Sequence, residues 1–513
     1  MGSSASSVRT LIIAGSAIAL DIDFSHNVVQ KVALSFPDCS ESVTRHTDLA
    51  GQILMRDLHI GENESLLTKS LDRFAANLER LSALDRLSVV PELNLHEAIA
   101  GLYESLEKLH VWEVKRLKGS EENNGRTDED VEILTLCGKS GRPLMHARDR
   151  LGLSLDYWTE KRRLPKSARE SKDIKIWSLL VECAPLPGIG LYAPLRVSND
   201  WISADVQKAN PSAEEAFLAS DATPILDWLE PENTLLPPID QPKQDSGPAI
   251  EPPPQKFPEV MFVAKFDPPV IVPYSLAASI FNSTSAPIDM FQTSTFDGLL
   301  FPPGVNEKIE QGEPRTIKRH ILVSVFQNGQ RVEVEHHNTL MIDKIDYGRT
   351  LTEIPFSHPN QLVGMLPVLR QYAFLSTVLG KSFGDAAKVV PMHGSSTDAK
   401  EHKTSQKLAL KDFMPPQPAT TRRNPKFSLD VSFTTQPNPK LVVVFPFKKR
   451  TANITFEINV NGVVEVTSQN ILDEQVQNEG EGKKKLEAQD LAKMLEITED
   501  LGVWAEFVRR RLE

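Results

Sequence analysis

Two stretches sharing one apolar rhythm set the strongest constraint on this chain. In SLLTKSLDRFAANLERLSALDRL, Leu67, Leu71, Phe74, Leu78 and Leu81 recur at alternating gaps of four and three residues. In NLHEAIAGLYESLEKLHVWEVKRL, Leu95, Ile99, Leu102, Leu106 and Leu109 repeat those gaps. That period puts one apolar stripe on each of two amphipathic helices, each roughly 35 Å long at about 1.5 Å per residue. Val89-Val90-Pro91 breaks the chain between them. Asn94, with Glu97 three residues on, predicts an N-cap and capping box for the second helix. The short connection predicts an antiparallel helical hairpin over Ser65 to Leu117 whose stripe leucines form internal core. Such a hairpin reads as scaffold.

Composition narrows the function classes. A chain of 513 residues exceeds one core and predicts two to four domains. The net charge of −12 disfavours general nucleic-acid binding, which depends on Lys and Arg neutralising phosphates. Cys39, Cys137 and Cys183 are odd in number and far apart, so they read as thiols in a reducing compartment. No apolar run is expected to approach the roughly 18 residues of a membrane span. LIIAGSAIAL is short and runs into Asp21 and Asp23, and MGSSASSVRT has no signal-peptide organisation. The expected location is nuclear or cytosolic.

The expected architecture is α+β: an N-terminal β-hairpin and the long helical hairpin, then several antiparallel β-rich units joined by proline-rich linkers. The boundaries read as a conserved N-terminal domain over 1–184, an irregular connection over 185–230 and a proline-rich linker over 231–258. A β-rich domain with a helix follows over 259–380, then a flexible linker over 381–425 and a C-terminal β-rich unit with terminal helices over 426–513. Thr10 to Phe36 reads as two strands, with Asp21 and Asp23 facing solvent. Val43 to Leu58 reads as one helix with His46 and His59 at its ends. VEILTLC, Leu151 to Trp158 and IKIWSLLVECA read as strands, and Ser212 to Trp228 as a short helix.

Further on, ILVSVFQ-NG-QRVEVEH predicts a hairpin with a two-residue turn at Asn328-Gly329, pairing Val325 with Val332 and Val323 with Val334. The adjacent His336 and His337 would then point to opposite sheet faces, which is poor geometry for joint ligation. Leu362 to Leu379 reads as a helix that Pro367 restricts or kinks. KFSLDVSF, KLVVVFPF, ANITFEINV and GVVEV predict four strands. The last two are joined by a three-residue loop, Val460-Asn461-Gly462, with Gly462 left-handed. Helices are expected at Lys485 to Ile497 and Asp500 to Leu512, with Leu501, Trp504 and Val508 packed back on the core.

No motif carries chemistry. GxSxG, HExxH and GxGxxG are missing, and GKSG lacks the glycine four residues before it that a phosphate loop needs. The Gly394 to Ser396 stretch sits in a polar tract without a rigid oxyanion hole. No catalytic, cofactor-binding or metal residue is assigned. Lys139, Arg142, Arg148, Arg150, Lys161, Arg162 and Arg163 form basic segments that could face a partner or water. The competing readings are an enzyme whose site assembles from distant residues and a DNA-binding regulator using Arg142, Arg148 and Arg162.

LIIAGSAIALDIDFSHNVVQKVALSF, TKSLDRFAANLERLSALDRLSVVPELNLHEAIAGLYESLEKLHVWEV and GKSGRPLMHARDRLGLSLDYW occur in family order and cover much of residues 10 to 160. Together they closely resemble the fungal form of the Mediator subunit 1 family. The resemblance implies a nuclear, non-enzymatic coactivator subunit of Mediator's middle module that needs no cofactor. Its implied partners are other Mediator subunits and, indirectly, RNA polymerase II and gene-specific regulators, with no membrane and no direct nucleic-acid contact. The receptor-binding leucine motifs of animal relatives are not matched here, and the helical region usual before LIIAGSAIALDIDF is expected to be shortened.

Overall fold

The computed structural model describes residues 8–61, 65, 68–88, 93–165, 169, 174–188, 192–212, 215, 224–236, 256–288, 294–303, 315–327, 330–384, 427–472 and 486–512. The chain forms two compact units. One comprises Met1–Gly304, Asp346–Ser376 and Asn459–Val463, the other Val305–Ile345, Thr377–Ile458 and Val464–Glu513.

The first unit opens with β1 (Arg9–Ala14), β2 (Ala19–Ser25) and β3 (Val28–Ser35), an antiparallel sheet in that order. The expected two-strand hairpin is therefore three strands. LIIAGSAIALDIDF folds back because the Asp85 carboxylate accepts hydrogen bonds from the Ser16 and Ala17 amides, each 2.7 Å. That carboxylate fills the space a side chain on Gly15 would need. Ile18, Leu20, Ile22, Val32 and Leu34 form a core with Ile53 and Leu54. The helix expected over Val43 to Leu58 is two, α1 (Glu41–Thr44) and α2 (Thr47–Leu58), with His46 at the N-cap position of the second, where its side chain makes no capping hydrogen bond, and His59 at its C-cap.

The helical pair is α3 (Asp72–Leu87) and α4 (Leu95–Lys118). Every stripe residue of α4 is buried. Asn94 caps it as expected, accepting from the His96 and Glu97 amides. The capping box does not close: the Glu97 carboxylate instead takes the Ser40 amide and hydroxyl, each at 2.5 Å. Leu67 and the breaker Val89 to Pro91 lie outside the described residues.

VEILTLC, expected as a strand, lies in α5 (Asp128–Gly138). Thr127 caps it, and three acidic residues in its first turn complement the positive end of the helix dipole. The chain continues through β4 (Arg142–Met145), β5 (Leu153–Thr159), β6 (Ile176–Pro185), β7 (Ile202–Gln207) and β8 (Leu226–Trp228). The helix expected over Ser212 to Trp228 ends instead in that last strand, paired with β7 through Ile202 and Trp228. Most of 213–223 lies outside the described residues.

Next come β9 (Val260–Pro273), α6 (Tyr274–Ser283), β10 (Ser294–Thr295) and α7 (Phe296–Leu300). After β11 (Arg315–Gln327) and β12 (Gln330–Ile342) of the second unit, the first resumes with β13 (Tyr347–Phe356). Its main sheet is antiparallel throughout, in the order β10-β13-β9-β6-β5-β4. β5 is buried at every position, as a strand covered on both faces must be.

The helix expected over Leu362 to Leu379 is longer, α8 (Pro359–Phe383). Pro359 suits a first helical position, where no amide donor is needed, and Pro367 stands inside the helix rather than at its start. By length and composition this helix could cross a membrane, contrary to the expectation that no run is apolar enough. Its most apolar window is 72% buried within protein, as a core helix is.

The second unit holds a sheet in the order β11-β12-β14-β15-β16-β17, where β14 is Phe427–Thr434, β15 Lys440–Phe447, β16 Arg450–Asn459 and β17 Val463–Gln469. Val325 pairs with Val332 and Val323 with Val334, as expected; Asn328 and Gly329 lie outside the described residues. β12 pairs with β14 in parallel, an exception to the antiparallel expectation. Gly462 is left-handed as expected, and Asn461 shares that conformation. The terminal helices are α9 (Ala488–Thr498) and α10 (Leu501–Leu512). Leu501, Trp504 and Val508 are fully buried, with Trp504 edge-on to Phe445 and Phe456. Of the two expected linkers, 237–255 and 385–426 lie outside the described residues.

Candidate interaction surface

A cleft of about 730 Å³ lies in the first unit. It is framed by the end of α4, the segment leading into α5, α5 itself, residues 162–165 after β5, and Asn461 and Val463. The cleft is held in shape by Arg370 on α8, whose side chain is fully buried. Its Nε donates to the Tyr157 carbonyl at 2.9 Å and one Nη to Asn461 Oδ1 at 2.8 Å. The other Nη donates to the Leu136 and Lys139 carbonyls at 2.8 and 2.5 Å. One guanidinium thus ties the end of α5, strand β5 and residue 461 together. Burial lowers the Arg370 pKa to about 10, which leaves it charged at neutral pH. A helix C-terminus, with its carbonyls unpaired, is a favourable place for that charge.

A second anchor is Arg162. Its guanidinium lies 4.6 Å from the centre of the Trp158 ring and donates to the Gly462 carbonyl at 2.6 Å. Gly462 is required there twice over, by its φ of +63° and because a Cβ would strike the same Trp158 ring. Arg169 donates to the cleft residue Asp130 at 2.8 Å. The Thr127 hydroxyl and then Arg169 hold the Asp130 carboxyl below its ordinary range. The lining mixes the apolar side chains of Leu117, Ile133, Leu134 and Val463 with charges of both signs, among them Arg126, Lys139, Glu122 and Asp130. The described lining residues include one thiol, Cys137, and no histidine. The arrangement suits binding of an extended segment.

The basic segments singled out in the sequence divide in two. Arg142 and Arg148 converge on the buried Asp156, Arg148 through two bonds of 2.5 and 2.6 Å, with Ser178 completing the cluster. Arg150 pairs with Asp267. These arginines neutralise carboxylates of their own sheet, so Arg142 and Arg148, although their side chains stay 33% and 37% exposed, are committed to Asp156 rather than to a basic surface of the kind expected of a DNA-binding regulator. Lys139, Arg162 and Arg163 are brought together at the cleft. GKSG is no phosphate cradle for a physical reason: the Ser140 amide and hydroxyl already donate to the Glu113 carboxylate.

The remaining candidates are dispersed. Asp23 accepts from Thr10 at 2.6 Å. Cys137 and Cys183 are buried and Cys39 half-buried, none of the three in a disulfide. Burial pushes the Cys39 thiol pKa up. His336 faces inward to Glu506 at 3.3 Å while His337 lies on the opposite face, as the strand period requires. Gly394 to Ser396 lies outside the described residues. Arg370 escaped the sequence reading because its partners are 91 to 234 residues away along the chain.

A family model described as Mediator of RNA polymerase II transcription subunit 1 matches residues 1–384. A search of curated proteins returns no match. The matched span covers most of the chain, including the helical pair, the three-stranded sheet and the segments that build the cleft apart from residues 461 and 463. The chain therefore belongs to the Mediator subunit 1 family, as a subunit of the Mediator complex acting in transcription regulation.

Proposed function

We propose that this chain is an architectural, non-enzymatic subunit of Mediator's middle module, working in the nucleus, and that its cleft receives an extended segment of a neighbouring Mediator subunit. The observation that carries the reading is the family match over residues 1–384, which names a component of a nuclear transcription complex. The chemistry of the cleft agrees with it. Apolar side chains on α5 and α4 offer burial, and flanking charges of both signs offer register and orientation rather than catalysis. In this role the protein relays regulatory contacts to RNA polymerase II by holding other subunits in place.

Affinity purification of the tagged chain from nuclei tests the proposal. Middle-module subunits are expected at stable stoichiometry, and loss of the protein is expected to change activated transcription. Recovery of the chain without other Mediator subunits overturns it. Ile133→Asp, a half-buried cleft position, is expected to weaken recovery of one subunit selectively. Unchanged recovery of every subunit with that variant removes the cleft from the proposal while leaving the subunit assignment standing.

A further inference from the structure

We infer that the outer face of the β11–β12 hairpin binds a divalent transition-metal ion of the zinc type through His320, Glu335 and His337. The register pairs His320 directly with His337 across the two strands, and Glu335 precedes His337 by two residues. Directly opposed residues share a sheet face, and so do residues two apart on one strand, so all three side chains rise from the same face. Burial alternates cleanly along β12: Val334, His336, Asn338 and Leu340 point inward, and the residues between them outward. His336 is thereby removed from the group.

The three donor atoms lie within 4.8 Å of one another. His337 Nε2 stands 3.6 Å from Glu335 Oε1, too far for a hydrogen bond, and the two imidazole rings meet edge to face with centroids 4.2 Å apart. Zinc–nitrogen and zinc–oxygen bonds of about 2.0–2.1 Å place tetrahedral donors roughly 3.4 Å apart, so small side-chain rotations close the site. A second observation points the same way. His337 Nε2 is shielded from solvent yet has no hydrogen-bond partner. A polar atom in that position is costly unless something satisfies it, and a metal ion would.

Two imidazole nitrogens and one carboxylate oxygen suit a borderline cation such as zinc better than magnesium or calcium, which prefer all-oxygen shells. Three protein donors leave a fourth tetrahedral position for water or an incoming ligand. Because the donors come from both strands, the ion would also staple the hairpin at the edge of the sheet, where β11 has β12 as its neighbour in the strand order.

The test is titration of the full chain, stripped with a chelator, with zinc chloride in competition with a chromophoric chelator. One equivalent is expected to bind in the micromolar range or tighter. His320→Ala and His337→Ala are each expected to weaken binding at least about tenfold, and Glu335→Gln by less. Glu333→Gln, an outward carboxylate not in the trio, is expected to leave binding unchanged. Far-UV circular dichroism shows that each variant keeps its fold, since the exchanged side chains lie on the outer face. Failure of the parent chain to bind one equivalent, or equal binding by the His320→Ala/His337→Ala double variant, overturns the inference.

Discussion

Helices α3 and α4 carry the same apolar rhythm and meet different fates. In α4 eleven residues are buried, including the whole stripe from Leu95 to Leu109, because neighbours cover it on several sides: α1, α3, α5, β4 and β7. In α3 three are buried, and two of those are polar: Asn77, Leu81 and Asp85. Leu71, at its N-cap, is 51% exposed, and Phe74 and Leu78 are half-buried. What fixes α3 is a set of hydrogen bonds. Asn77 donates to Asp57 and the Asp149 carbonyl and accepts from the Leu151 amide, while Asp85 holds the turn between β1 and β2. A periodic stripe shows that a helix has a preferred face; the number of elements packed on that face decides what the stripe contributes.

Substitutions can break that contrast. Leu102→Ala in α4 removes a fully buried side chain and is expected to cost about 3–4 kcal/mol, read as a lowered urea midpoint. A loss below about 1 kcal/mol would mean that α4 is no better packed than α3.

Acidification probes the same helix at its N-terminus. Burial depresses His96 to about 4, against the pull of the nearby Asp85 and Glu97 carboxylates. The folded state therefore favours the neutral ring. Its contribution is complete above about pH 6.5 and is lost as pH falls toward 4, a loss on the order of 2 kcal/mol by pH 5. His96→Gln should flatten the dependence of stability on pH between 7 and 5; an unchanged slope would assign it to other groups.

In α3 the polar anchor is the sensitive element. Asn77→Ala removes the donor to Asp57 Oδ2, leaving that carboxylate with Arg73 at 3.3 Å, and strands the Leu151 amide, with an expected cost of about 2 kcal/mol. Leu71→Gln, on the stripe but exposed, should shift stability by no more than about 0.5 kcal/mol. Should Leu71→Gln prove costlier than Asn77→Ala, hydrogen bonding would not be what holds α3.

Legibility in the sequence followed how local the determining contacts are. The α4 stripe, the Asn94 cap, the β11–β12 register and the four C-terminal strands each depend on residues close together, and all could be read. VEILTLC in α5 reads as a strand because seven mostly apolar residues show no distinguishing period, although Thr127 followed by Asp128, Glu129 and Asp130 is a helix-start signature. The break at Gly15 depends on Asp85, far along the chain, and nothing nearby announces it. The cleft joins residues 117–165 to 461 and 463 beside Arg370, a combination no local pattern encodes. The trio on the hairpin is intermediate. The register that pairs Val325 with Val332 also pairs His320 with His337, so the signal was present once the hairpin was extended outward.

The parallel pairing of β12 with β14 has a consequence for how the chain is made and cut. β12 is complete at Ile342, but the strand that covers its second edge begins at Phe427. During synthesis the long β11–β12 hairpin must therefore wait, with a row of backbone donors and acceptors open, until a distant segment leaves the ribosome. Closing so long a loop slows assembly, and an open edge invites pairing with another molecule in the interval. The family match ends at residue 384, before that partner strand. A fragment cut at this tempting boundary would keep the open edge permanently and self-associate, whereas extension through β17 would restore the sheet.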